Sequence, residues 1–156
     1  MYNNDFNRNR SYSGNRPYGS RKSMQEEEKN QRQPLNITST NYVGTAETVM
    51  KTLNSGKTVL TTSKIRNILS MVSDLYNDVK LQHNKVLSEE FQSRVQYLRL
   101  HLAYEAGREN AVKNFVEQAD LMNQLNNIGD SRDRLILFCH YMEALVAYHR
   151  FYDGKD

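Results

Sequence analysis

Cysteine is nearly absent from this chain of 156 residues. Cys139 alone excludes an internal disulfide framework, and its apolar neighbours suit a buried thiol in a reducing compartment. Proline occurs only at Pro17 and Pro34, so nothing after residue 34 forbids a helix. Apolar runs are short as well: the longest, such as Leu135 to Phe138 and Ala144 to Tyr148, fall far below the ~20 residues that span a bilayer. No signal-peptide apolar core stands near the start, and a soluble cytoplasmic protein is expected. No alternation of Val, Ile and Thr reads as a strand, which leaves helices. The length excludes two enzyme-sized domains.

What is present is unevenly spread. Eight of the first 40 residues are apolar, against 51 of the remaining 116. A segment that poor in apolar surface does not offset the roughly 1 to 2 kcal/mol per residue lost on ordering its backbone. The composition therefore predicts a disordered arm over residues 1–40 and one folded domain over 41–156. Net charge is +3 overall. Arg8, Arg10, Arg16, Arg21 and Lys22 against Asp5 place +4 in the arm's first 22 residues, and the rest sums to −1. Interleaved arginines and tyrosines (Tyr2, Tyr12, Tyr18) suit sequence-tolerant contacts with single strands, as well as a solubilising tail.

Apolar spacing predicts about five helices in an all-α bundle. The first runs from Tyr42 to Asn54 and stops before Gly56, read as a left-handed cap. The second opens on Thr61, Thr62 or Ser63 and buries Ile65, Ile68, Leu69, Val72, Leu75, Tyr76 and Val79. The third starts at Ser88, with Glu89 and Glu90 in its first turn. It buries Phe91, Val95, Leu98, Leu102 and Ala106. Tyr97, Leu100 and Tyr104 on its reverse side predict a central position, and Gly107 breaks the pattern. A fourth, Glu109 to Asn127, carries Val112, Phe115, Val116, Ala119 and Met122 and ends before Gly129. A fifth, capped by Asp130 or Ser131, shows a stripe of Leu135, Phe138, Met142, Leu145, His149 and Tyr152, widened by Ile136, Cys139 and Ala147.

Familiar catalytic arrangements fail on spacing. Gly56, Lys57 and Thr58 look like the end of a phosphate loop, but the glycine needed five positions earlier is Lys51. His101 with Glu105 and His140 with Glu143 reverse the order a di-metal bundle needs, so no metal or other cofactor is expected. Cys139 sits mid-helix without a base, which leaves nucleophilic catalysis unsupported. One enzymatic reading remains as an alternative, a small HEPN-like ribonuclease in which a helical arginine binds phosphate and a histidine moves the proton. Arg94 with His101 shares a helix face. Arg134 with His140 diverges by about 120°. In both pairs the polar residue that usually follows the arginine is replaced, by Val95 and Leu135. The bland reading of His140 and His149 is a core imidazole with a backbone partner.

Basic side chains recur where a bundle leaves them exposed. Lys64 and Arg66 lie in the first turn of the second helix beside hydroxyls and free amides, a geometry that suits phosphate. Arg94, His101 and Arg108 share one face of the third helix with Tyr97 beside them, and Lys113 and Arg150 extend the strip. The competing reading is a solvated face neutralised by Glu105 and Glu109.

Three segments, LTTSKIRNIL (Leu60 to Leu69), YEAGR (Tyr104 to Arg108) and FCHYMEALVAYHRFY (Phe138 to Tyr152), together resemble the small helical subunit of type III-A, or Csm, CRISPR effector complexes. The resemblance spans Tyr42 to Asp156. It implies a non-catalytic prokaryotic subunit that associates with further copies of itself as an inner filament. Its implied partners are the crRNA-containing ribonucleoprotein, its backbone and large subunits, and the target RNA strand. By motif position Lys64, Arg66 and Arg108 match the family's basic residues. Arg94 is added from its helix face, and Arg150 stands between RNA and protein contact. The arm departs from the family's compact pattern.

Overall fold

The computed structural model describes residues 32–57 and 59–153. Six helices and no strand are present among them: α1 Tyr42–Asn54, α2 Thr62–Val79, α3 Glu89–Arg108, α4 Asn110–Gln118, α5 Leu121–Ile128 and α6 Arg132–Asp153. The all-α bundle expected from apolar spacing is what forms. None of these helices is long and apolar enough to cross a membrane.

The central element is α6, packed against α1, α2 and α5, and not the third helix as its two-sided apolar pattern predicted. Leu135, Phe138, Cys139, Tyr141, Met142, Leu145 and His149 are all buried along α6, whereas Ala147 is exposed. Helix α3 buries only Phe91, Val95, Leu98 and Leu102, and its reverse side faces solvent. Apolar residues on two faces marked exposure here, because α2, α4 and α5 all pack on the same side of α3.

Helix ends follow local chemistry. Thr61 is the extended N-cap of α2, and the Ser88 hydroxyl accepts the Phe91 N–H at 3.4 Å to cap α3. Ser131 accepts from Arg134 N–H at 3.3 Å at the head of α6. Gly129, at φ +54 and ψ −122, closes α5 in a positive-φ conformation that glycine enters without a Cβ penalty. Gly56 does not take that conformation. The last turn of α1 tightens instead, with Gly56 N–H donating to Leu53 O at 3.1 Å. There a Cβ would lie only 3.2 Å from that oxygen. Gly107 stays helical, and α3 ends at Arg108, with the next residue, Glu109, extended at φ −142.

The single helix expected from Glu109 to Asn127 is two. Asp120 adopts φ +55 and separates α4 from α5, an arrangement a non-glycine residue takes only with local hydrogen bonding. Its carboxylate supplies that, accepting from Leu35 N–H at 2.8 Å, Asn123 Nδ2 at 2.7 Å and Gln124 Nε2 at 3.3 Å. The break moves the buried set from Val112, Phe115, Val116 and Ala119 to Leu121, Leu125 and Ile128. Met122, expected inside, is only half-buried.

Of the arm read over 1–40, residues 1–31 lie outside the described residues. Leu35 and Ile37 pack against the core. Gln124 Nε2 donates to Leu35 O at 2.7 Å, and the Asn41 side chain holds both Thr38 N–H (2.7 Å) and Asn36 O (2.9 Å). Asp120 is thus the anchor of a strap. Replacing it by alanine strands a left-handed backbone and removes a charged acceptor, at a cost of about 2 to 3 kcal/mol. Asp120→Ala should lower the unfolding free energy measured by urea denaturation by that amount and expose residues 34–38 to limited proteolysis. A variant as resistant as the parent would refute the anchor.

Candidate functional site

Helices α2 and α3 run in opposite directions, joined by residues 80–88. Along α3 the line Arg94, His101, Arg108 repeats every seven residues, close to two turns. Facing it on α2 are Asp78, Met71 and Lys64, also seven apart. At one end Arg94 Nη1 lies 2.7 Å from Asp78 Oδ2, with the guanidinium over the Phe91 ring. At the other end a cleft of about 420 Å³ opens, lined by Lys64, Asn67, Ser70, Met71, His101, Glu105 and Arg108 over Ile68 and Val112.

The floor of this cleft is rigid because Ile68 and Val112 belong to the core. Its rim is charged and partly neutralised. Lys64 Nζ lies 3.0 Å from Glu109 Oε2, and Arg108 Nη1 lies 3.3 Å from Glu105 Oε1 while its guanidinium covers the Tyr104 ring. Such exposed pairs contribute about 0 to 1 kcal/mol, so the carboxylates hold the two cations only weakly. The neutralisation by Glu105 and Glu109 expected from spacing is therefore present, and it leaves the cations exchangeable. Thr61 makes no side-chain hydrogen bond to the head of α2.

The structure thus gathers Lys64, His101 and Arg108 into one place and puts Arg94 about 10 Å further along α3. Arg66 and Arg150 are exposed outside the cleft, and Lys113 pairs with Glu117 at 4.0 Å. Asn67 and Ser70 were missed. Asn67 follows Lys64 by three positions, a spacing that also shares a helix face and could have found it.

The ribonuclease alternative gains no geometry. Arg94 is engaged by Asp78, away from His101. Arg134 donates to Asn127 O at 2.9 Å, while His140 lies between the Tyr42 and Tyr76 rings with Nε2 3.4 Å from the Tyr76 hydroxyl. The buried His149 Nε2 sits 2.8 Å from Leu60 O, a core imidazole on a backbone partner. No group of three His, Cys, Asp or Glu side chains suited to a metal occurs among the described residues.

Cys139 is buried, its Sγ 4.0 Å from Val72 O, and burial pushes the thiol pKa up to about 12. At pH 8 it remains protonated and shielded. Ellman's reagent should leave it unmodified in the folded chain and titrate one thiol in guanidinium. Rapid labelling without denaturant would contradict this.

Comparison with known proteins bears on the same segment. Residues 37–155 match the sequence family described as Csm2 Type III-A. A protein of Streptococcus thermophilus named CRISPR system Cms protein Csm2 is 46% identical over 123 residues, covering 77% of this chain and 98% of that protein. The protein of that name from Mycobacterium tuberculosis H37Rv is 46% identical over 97 residues, 62% of this chain and 78% of its own. One from Enterococcus italicus is 38% identical over 99 residues, 62% of this chain and 71% of its own.

Proposed function

This chain belongs to the type III-A Csm2 family, and from that premise we propose that it is a non-catalytic small subunit of a cytoplasmic type III-A CRISPR ribonucleoprotein. Copies stack as an inner filament beside the crRNA-bound backbone subunits, and each grips the sugar-phosphate track of target RNA paired to the guide. The observation that carries the RNA contact is the α2–α3 cleft, which brings Lys64 and Arg108 together beside Asn67, Ser70 and His101 on a fixed apolar floor. Two cations with neutral donors between them suit a phosphate and a 2′-hydroxyl.

A subunit that follows any target sequence must ignore base edges. The cleft fits that need, since its ammonium and guanidinium are donors only and reach a backbone oxygen without regard to base. Arg94 supplies a further phosphate contact along the groove once it exchanges Asp78 for RNA. Arg66 and Arg150 add cations at the ends of their helices. A single protomer binds weakly, and stacked copies gain effective concentration. The inert cysteine and the dispersed Arg and His side chains support an absence of bond-breaking chemistry.

Purification of this chain through an affinity tag from its native host tests the proposal. A guide RNA and a ladder of CRISPR subunits should accompany it, and the complex should retain complementary RNA. The chain recovered alone and free of RNA would overturn it, as would RNA cleavage by the isolated chain that His101→Ala abolishes.

A further inference from the structure

A second cavity, of about 480 Å³, lies where the strap crosses α5 and α6. It has the volume of a small-molecule site and shares no lining residue with the α2–α3 cleft. Helix α6 gives it one stripe, Arg134, Leu137, Phe138 and Tyr141, spaced as one face of a helix. The strap supplies a second wall with residues 35–38, and α5 supplies Gln124 and Asn127.

The lining is of two kinds. Leu35, Ile37, Leu137 and Phe138 are apolar, and Tyr141 offers only its ring, because its hydroxyl already donates to Ala119 O at 3.0 Å. Against these stand three carboxamides. Those of Asn36 and Asn127 have no partner among the described residues, and Gln124 commits its Nε2 to Leu35 O and Asp120 but keeps its Oε1. Arg134 is the one charged residue of the lining. Its Nη1 is held by Asn127 O at 2.9 Å, which fixes the guanidinium and leaves its other donors available. Lys64, Arg94 and Arg108 each have a carboxylate partner, whereas Arg134 has none among the described residues.

That combination selects a ligand class. A fatty acid would leave the carboxamides unpaired, a sugar would set hydroxyls on the apolar walls, and inorganic phosphate would engage Arg134 alone. A nucleobase has two apolar faces and an edge of alternating donors and acceptors, which carboxamides match. One phosphate on the same ligand meets the one cation. We propose that this cavity binds a free nucleoside 5′-monophosphate, its base between the strap and α6 and its phosphate on Arg134. The site is independent of the proposed RNA contact, since the two share no residue.

Calorimetric titration of the full-length chain with AMP, GMP, CMP and UMP should show one site, with a dissociation constant on the order of 100 micromolar or tighter for at least one of them. The matching nucleoside should bind about tenfold more weakly, and inorganic phosphate should not saturate over the same range. Arg134→Glu should abolish binding. Asn127→Leu, which keeps the carbonyl that holds Arg134, should weaken it about tenfold with the circular dichroism spectrum unchanged. Lys64→Glu combined with Arg108→Glu should bind the nucleotide as the parent does. Absence of saturable binding for all four nucleotides overturns the proposal, as does phosphate that binds as tightly as the nucleotide. Binding lost in the Lys64/Arg108 double variant and kept in Arg134→Glu would place the nucleotide in the other cleft and overturns it equally. A 5′-phosphorylated trinucleotide bound more tightly than the mononucleotide also overturns it, because the cavity would then receive the end of a strand.

Discussion

Reversing Lys64 and Arg108 together to glutamate should reduce target-RNA retention by the assembled ribonucleoprotein on the order of 100-fold. A hydrogen bond to a charged group is worth about 1.5 to 3 kcal/mol, so losing two at the lower figure already gives that factor. The new carboxylates also sit beside Glu105 and Glu109, which in the parent pair with the lost cations. Stability should hardly change, since both ion pairs are exposed. The same variant should flatten the salt dependence, the log-log slope losing about 0.7 to 0.9 for each phosphate no longer neutralised. Retention of labelled complementary RNA across a sodium chloride series measures both effects. Glu109→Gln should act in the opposite direction, because it releases Lys64 from its carboxylate. Retention and slope unchanged by the double reversal would end the case for this cleft.

Tyr141→Ala should destabilise the bundle by about 3 to 5 kcal/mol, a large fraction of the stability of such a domain. Tyr141 is fully buried on α6, and its hydroxyl donates to Ala119 O at 3.0 Å, at the break between α4 and α5. Burial raises the phenol pKa above its ordinary value, so the group stays a neutral donor at working pH. Tyr141→Phe keeps the ring and leaves the Ala119 carbonyl without its donor, for about 1 to 3 kcal/mol. The gap between the two variants separates ring packing from the hydrogen bond. Urea denaturation followed by circular dichroism measures it. Equal losses would mean that the hydroxyl, not the ring, dominates the site.

Helix existence was legible because burial imposes a 3.6-residue period on apolar side chains: α1 has the bounds that spacing gave it, and α2 starts at its expected cap. The α4–α5 break was illegible as a stop signal, since neither glycine nor proline stands at 119–121. Its trace was subtler: apolar positions 112, 115, 116 and 119 continue as 121, 125 and 128, out of phase with one helix. The fixing interaction comes from Leu35, 85 residues away. Arg132 was equally hidden. Its guanidinium reaches Val79 O at 3.3 Å and Lys80 O at 3.2 Å, satisfying carbonyls at the end of α2 from the start of α6.

For the candidate site, a helix face was enough to align Arg94, His101 and Arg108. Spacing along one helix says nothing about its neighbour, so the placement of Lys64 beside Arg108, and of Asp78 on Arg94, was beyond reach. The two-sided apolar pattern of α3 misled for a related reason: periodicity reports which residues share a face, not what covers it.

Sequence alone determined the all-helical class, most helix boundaries, the inert cysteine and the family, because these rest on local periodicity, composition and ordered motifs. Tertiary structure alone decided which helix is central, where two basic segments meet as a cleft, and which aromatic face is left bare. Those outcomes depend on how helices cross, which is set by the summed packing of many distant side chains.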